Sequence, residues 1–142
     1  MRKLFNGSAL GAWLTAATLM AGSGWVHATD VKVHLTGAQE TPPVQTSAVA
    51  SGTLSVAADK SVSGSLKTTG IVGTTAHIHV GAPGQSGPPI ITLTQSADAV
   101  WSVPAGSTLT DEQYANFKAG QLYVNVHSAA HPAGEIRAQL KP

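Results

Sequence analysis

Three histidines carry the chemistry this sequence offers. His77 and His79 stand two residues apart in Ala76-His77-Ile78-His79-Val80, and His127 closes the alternation Leu122-Tyr123-Val124-Asn125-Val126-His127. Alternation of polar and aliphatic residues is the mark of a half-buried strand. His77 and His79 then share one face, with Cα atoms about 6.6 Å apart, and both can reach one ion. On the second strand Tyr123, Asn125 and His127 share a face. If the two strands are neighbours, three imidazoles converge. Imidazole suits Cu(II) and Zn(II), and three protein ligands leave a position open for water or a substrate. His34, on an N-terminal strand, is an additional candidate ligand, and Asn125 or His34 could orient the set. The same histidines can instead serve packing alone, bonded to backbone carbonyls or to Glu135.

What else the chain can supply narrows the metal. There is no cysteine among its 142 residues, and its two methionines, Met1 and Met20, lie near the N-terminus. Arg2 and Lys3, the uncharged and mostly apolar run Ala9 to Ala21, and the small-x-small cleavage pattern Val26-His27-Ala28 together form the pattern of a secretory signal peptide. Residues 1–28 are therefore expected to be removed, leaving a periplasmic or secreted domain over residues 29–142. The apolar run is broken by Thr15, Thr18 and Gly22 and is short for a membrane span of about 20 residues, so no membrane attachment is expected after cleavage. The remaining domain has no sulfur, and any metal must use imidazole, carboxylate, carbonyl or water.

Losing Arg2 and Lys3 turns the precursor's net charge of +1 into −1. No basic patch interleaved with aromatic residues is visible, which excludes nucleic acid as an expected partner. Catalysis has little support, and no catalytic residue is assigned. Carboxylates are few and scattered, and no nucleophile elbow is present. The glycines of Gly81–Gly87 lack the lysine and the strand-loop-helix context of a phosphate loop.

The elements that position these side chains read as all-β, an antiparallel sandwich or barrel of short strands with one short helix. Val31, Val33 and Leu35 alternate with Lys32 and His34. Ala48–Ala57 and Ser61–Thr68 form a hairpin around Asp59-Lys60. Ile90–Leu93, Ala99–Val103 and Glu135–Leu140 are further strands, and Gly37–Pro43 and Gly81–Pro89 are loops. The helix is expected over about residues 110–119. Thr110 and Gln113 make a capping box, Leu109 and Tyr114 a hydrophobic staple, and Gly120 the C-terminal stop. Glu135 and Arg137, two apart on a strand, are expected to form a salt bridge.

Four stretches resemble a known family: Leu35-Thr36-Gly37-Ala38-Gln39-Glu40-Thr41-Pro42-Pro43, Ala76-His77-Ile78-His79 with Gly81, Gly84, Gly87 and Pro88, Leu122 to Ser128, and Pro132 to Leu140. In this order they are similar to the CHRD domain, the module repeated in chordin and also found alone in exported bacterial proteins. Ala138 stands where that family usually has glycine. The resemblance implies a β-sandwich-like module of undefined biochemical role. The growth-factor partners of chordin do not carry over to a lone domain. Two functions follow from residues and resemblance together: an exported domain binding copper or zinc through strand histidines, or a structural or protein-interaction module with no metal.

Overall fold

A computed structural model describes Gly24 and residues 26–142. The expected signal segment, residues 1–28, lies almost wholly outside the described residues. The strands are β1 (Ala28–Thr36), β2 (Val49–Ala57), β3 (Val62–Thr69), β4 (Gly73–Val80), β5 (Pro89–Thr92), β6 (Thr94–Ala97), β7 (Val100–Ser102), β8 (Leu122–Ser128) and β9 (Ile136–Leu140), with helix α1 (Asp111–Lys118) between β7 and β8. They form one nine-stranded sheet in the order β5-β4-β8-β9-β1-β2-β3-β7-β6. Every pairing is antiparallel.

The two ends of that order, β5 and β6, are separated only by Leu93, whose N–H donates to the Ala76 carbonyl at 2.9 Å. They act as one bent stave, paired to β4 through its first half and to β7 through its second. The sheet thus closes into a barrel, which removes the exposed edges of an open sheet. This settles the sandwich-or-barrel expectation. β6, with the sequence Thr-Gln-Ser-Ala, has no apolar alternation and was not expected. All four of its residues are exposed, and it is a strand because it completes the ring against β7.

Inward-facing positions follow the period of two. Val31, Val33 and Leu35, Ala76 and Ile78, Leu122, Val124 and Val126, and Ile136, Ala138 and Leu140 are all buried. Leu109 and Phe117 close one end against Val31, Val56, Val62, Leu122 and Leu140, leaving no water-sized space. Ala138, paired with Val124, places its methyl group in this core. The helix that carries Phe117 forms as its caps require: Thr110 Oγ1 accepts from the Gln113 N–H at 3.1 Å, and Gln113 Oε1 accepts from the Thr110 N–H at 3.0 Å. A cap of this kind contributes about 1 kcal/mol. Gly120, at φ +71°, then turns the chain into β8. Because the barrel is filled, any binding chemistry must lie on its outside. No helix among the described residues is long and apolar enough to cross a membrane.

Candidate metal centre

The outer face of β4, β8 and β9 is a layer of large polar side chains. In the β4–β8 register His77 faces Asn125, His79 faces Tyr123 and Thr75 faces His127. His127 is therefore one diagonal step from His77. On the other side of β8, Asn125 faces Arg137 and Tyr123 faces Gln139.

This register brings His77, His79 and His127 together, with one nitrogen from each lying within 4.8 Å of the others. His77 Nδ1 and His127 Nε2 are 3.1 Å apart. Around one tetrahedral ion with metal–nitrogen distances of about 2.0–2.1 Å, ligand atoms stand roughly 3.3–3.4 Å apart. The His77–His127 pair is near that spacing, and closing the third nitrogen onto the same ion requires the rings to draw together.

The protein also decides which nitrogens are free. His79 Nδ1 is 2.9 Å from the Gly87 carbonyl oxygen, and His127 Nδ1 is 2.8 Å from that of Pro132. A carbonyl only accepts, so both Nδ1 atoms carry the proton. In the neutral rings both Nε2 atoms present a lone pair; that of His79 is free, while that of His127 accepts from His77 Nδ1–H at 3.1 Å, a bond an ion at this atom would replace. Metal-ligating histidines are commonly oriented in this way, through a carbonyl on the far nitrogen. His79 Nε2 is buried and has no hydrogen-bond partner. A buried acceptor without a partner is costly. A cation at that atom would satisfy it.

Burial pushes the His77 pKa below its ordinary value, and charge on His127 or His79 acts in the same direction. Burial also lowers His79, against the opposing bond to Gly87. Both rings are thus held neutral, the form that ligates.

His34 does not join the group. It lies on β1 opposite Ser51, exposed, with Nδ1 3.0 Å from the Ser51 hydroxyl. Glu135 touches none of the three histidines. It accepts from Thr46 Oγ1 at 2.7 Å and from Ser128 Oγ. Nor does it pair with Arg137, as its spacing led us to expect, because Arg137 is engaged elsewhere.

That engagement is what the sequence reading missed. The Tyr123 ring stacks on His79 at 4.6 Å with the planes 5° apart, and the Arg137 guanidinium lies over the other face of Tyr123 at 3.6 Å. Arg137 donates to the carbonyls of Gln85 at 2.8 Å and Ala82 at 3.1 Å. Gln139 Nε2 donates to the carbonyl of Gly81 at 2.7 Å and to that of Gly120 at 2.9 Å. The loop from Gly81 to Pro88 is pinned against the layer and delivers the Gly87 carbonyl to His79. Gly87 must be glycine, since a Cβ there would lie 1.7 Å from the Val80 carbonyl oxygen. The only sequence trace of this device is a run of small residues followed, far along the chain, by two long donors two apart on β9.

The model of the CHRD domain matches residues 31–140. The chain belongs to the CHRD domain family. Neither the curated proteins nor the solved structures searched contain a match to it. In this CHRD domain the four stretches that carry the resemblance all meet at the polar layer. The first supplies Glu40, the second His77, His79 and Gly87, the third Tyr123, Asn125 and His127, and the fourth Arg137 and Gln139.

Proposed function

We propose that this CHRD domain is an exported protein that binds one divalent transition ion, copper or zinc, through His77, His79 and His127. The observation that carries the reading is the state of His79. Its Nδ1–H is fixed on the Gly87 carbonyl while its Nε2 is buried, unpartnered and beside two other imidazoles. The donor set has no sulfur and is built of borderline nitrogen ligands, which favours divalent copper and zinc over Cu(I). Copper(II) stands above zinc in the general affinity order of divalent ions. Export rests on the signal pattern of residues 1–28. Cleavage after Ala28 would leave β1 intact from Thr29 onward.

The test is calorimetric titration of Cu(II) and Zn(II) into chelator-stripped protein, repeated with His79→Ala and His127→Ala. The expected result is a single site with Kd below about 10 μM, roughly −7 kcal/mol, lost in both variants. No binding of either ion would sink the reading. Binding that survives both substitutions would sink the ligand assignment.

A second reading is a structural or protein-interaction module in which the histidines serve the fold. The bonds from His79 to Gly87 and from His127 to Pro132 favour it, because they tie two loops to the barrel whether or not an ion binds. Under that reading both alanine variants lose stability in metal-free buffer, and added metal changes nothing.

A further inference from the structure

Asn125 occupies the middle of the polar layer. It lies opposite His77 on β4, opposite Arg137 on β9, and two residues from both Tyr123 and His127 on its own strand. It is 2% exposed. A buried amide has two donors and one two-lone-pair acceptor to satisfy. Here the Nδ2 end donates to Glu40 Oε1 at 3.4 Å, while Oδ1 has no hydrogen-bond partner.

The two ends of an amide look alike, so its orientation must be reasoned from its neighbours. Here the NH2 end faces Glu40, and both groups crowd the same spot over Gly134, where a Cβ would lie 2.5 Å from Glu40 Oε1 and 2.6 Å from Asn125 Nδ2. With that end on Glu40, Oδ1 is turned away from it and toward the histidines. Two buried acceptors, His79 Nε2 and Asn125 Oδ1, are thus left without donors on the same side of the sheet. Among the described residues no other buried side-chain oxygen or nitrogen lacks a partner. Neutral acceptors cannot satisfy each other, but one cation between them satisfies both.

We infer that the Asn125 amide oxygen is the fourth donor to the ion held by His77, His79 and His127, and that Glu40 acts as a positioning residue by fixing which end of the amide faces the site. The inference rests on the metal reading above and deepens it. It makes the site a three-nitrogen, one-oxygen set, suited to Zn(II) or Cu(II) and poor for a soft monovalent ion.

Two variants of the full chain test it. Asn125→Ala removes the oxygen. Glu40→Gln keeps the shape but replaces the carboxyl oxygen that receives the Asn125 NH2 with an amide that also donates, so Asn125 can turn its NH2 toward the ion. Zn(II) and Cu(II) are titrated into stripped wild type and both variants, the Cu(II) forms are examined by electron paramagnetic resonance, and metal-free thermal melts check the fold. Asn125→Ala is expected to weaken binding about 10–100-fold and Glu40→Gln about tenfold. Both should change the copper hyperfine pattern while imidazole nitrogen couplings persist. Should Asn125→Ala fail to fold, Glu40→Gln decides alone. Wild-type affinity together with an unchanged copper spectrum in Glu40→Gln and in any folded Asn125→Ala overturns the inference and leaves the three-histidine reading standing. Absence of binding by wild type overturns both.

Discussion

The barrel has two outer faces built on the same interior, and they are treated in opposite ways. On β2 and β3 the outward residues Ser51, Thr53, Ser63, Ser65 and Lys67 are exposed and Ser55 is half-buried. On β4, β8 and β9 the outward His77, His79, Tyr123, Asn125, His127, Arg137 and Gln139 are not exposed but lie under loops around Glu40, Gly87 and Pro132, with only Thr75 exposed at the margin. Closing a barrel requires only that outward residues be soluble, and the first face shows that small hydroxyls suffice. Covering polar groups adds a desolvation cost unless each is hydrogen-bonded. The second face meets that cost with an internal network of long donors and loop carbonyls. Its two unmatched acceptors, His79 Nε2 and Asn125 Oδ1, sit among the three histidines.

Arg137 is where the contrast should break most severely. It is 2% exposed, covers Tyr123 and donates to two loop carbonyls. Arg137→Met keeps much of the packing but strands those carbonyls, each at about 1–3 kcal/mol if it stays buried. We expect a loss of about 3 kcal/mol, read as a lower urea midpoint with an unchanged slope. A loss below about 1 kcal/mol would mean that the loop finds water instead, and that the covered face is less closed than its burial indicates.

Metal loading should come next. Free ion at 100 times Kd stabilises a protein that binds it only when folded by about 2.7 kcal/mol. The rise in melting temperature should appear with Zn(II), disappear with chelator, and be absent in His127→Ala. A further contribution belongs to Glu135. Burial alone would raise its pKa, but hydrogen bonds from Ser128 and Thr46, with the charge of His131, outweigh that and hold it below the usual carboxylate value. A carboxylate depressed in the folded state contributes stability above its unfolded pKa, and that contribution is lost as pH falls through the folded value. Glu135→Gln should therefore cost about 2 kcal/mol at neutral pH. Urea midpoints taken across the acidic range should show that the gap to wild type narrows below pH 4–5, in about that window.

The two faces were not equally legible in the sequence. The hairpin of β2 and β3, the capped helix, and the period-two strands β4 and β8 could be read because each follows from local rules: alternation, a capping box, a turn at Asp59-Lys60. The meeting of His77, His79 and His127 followed from that same alternation once β4 and β8 paired. What could not be read depends on loops folding back. Nothing local to Arg137 says that it will reach Gln85 and Ala82 rather than its strand neighbour Glu135. Nothing near Gly87 says that its carbonyl will orient His79. His34 has the same alternation as His79 and a different fate, because β1 pairs with β2 through Ser51 on the bare side. β6 escaped notice because barrel closure, not its own composition, makes it a strand.

The bare face should give the smallest effect, and that smallness is informative. Lys67 lies on β3 across from Ser51 on one side and Val100 on the other, and it is exposed. Removing an exposed side chain with no buried partner ordinarily changes stability by no more than about 0.5 kcal/mol. Lys67→Ala should therefore leave the urea midpoint and metal affinity at wild-type values. The neighbouring glycine is the internal control. At Gly52 a Cβ would lie 2.1 Å from the Ser65 carbonyl oxygen, so Gly52→Ala should destabilise the barrel wall itself while leaving the three histidines untouched. Metal affinity measured on the folded fraction of that variant should match wild type. If it fell as far as in His127→Ala, the two faces would be energetically coupled through the shared interior, and the covered layer could no longer be treated as an addition to a self-sufficient barrel.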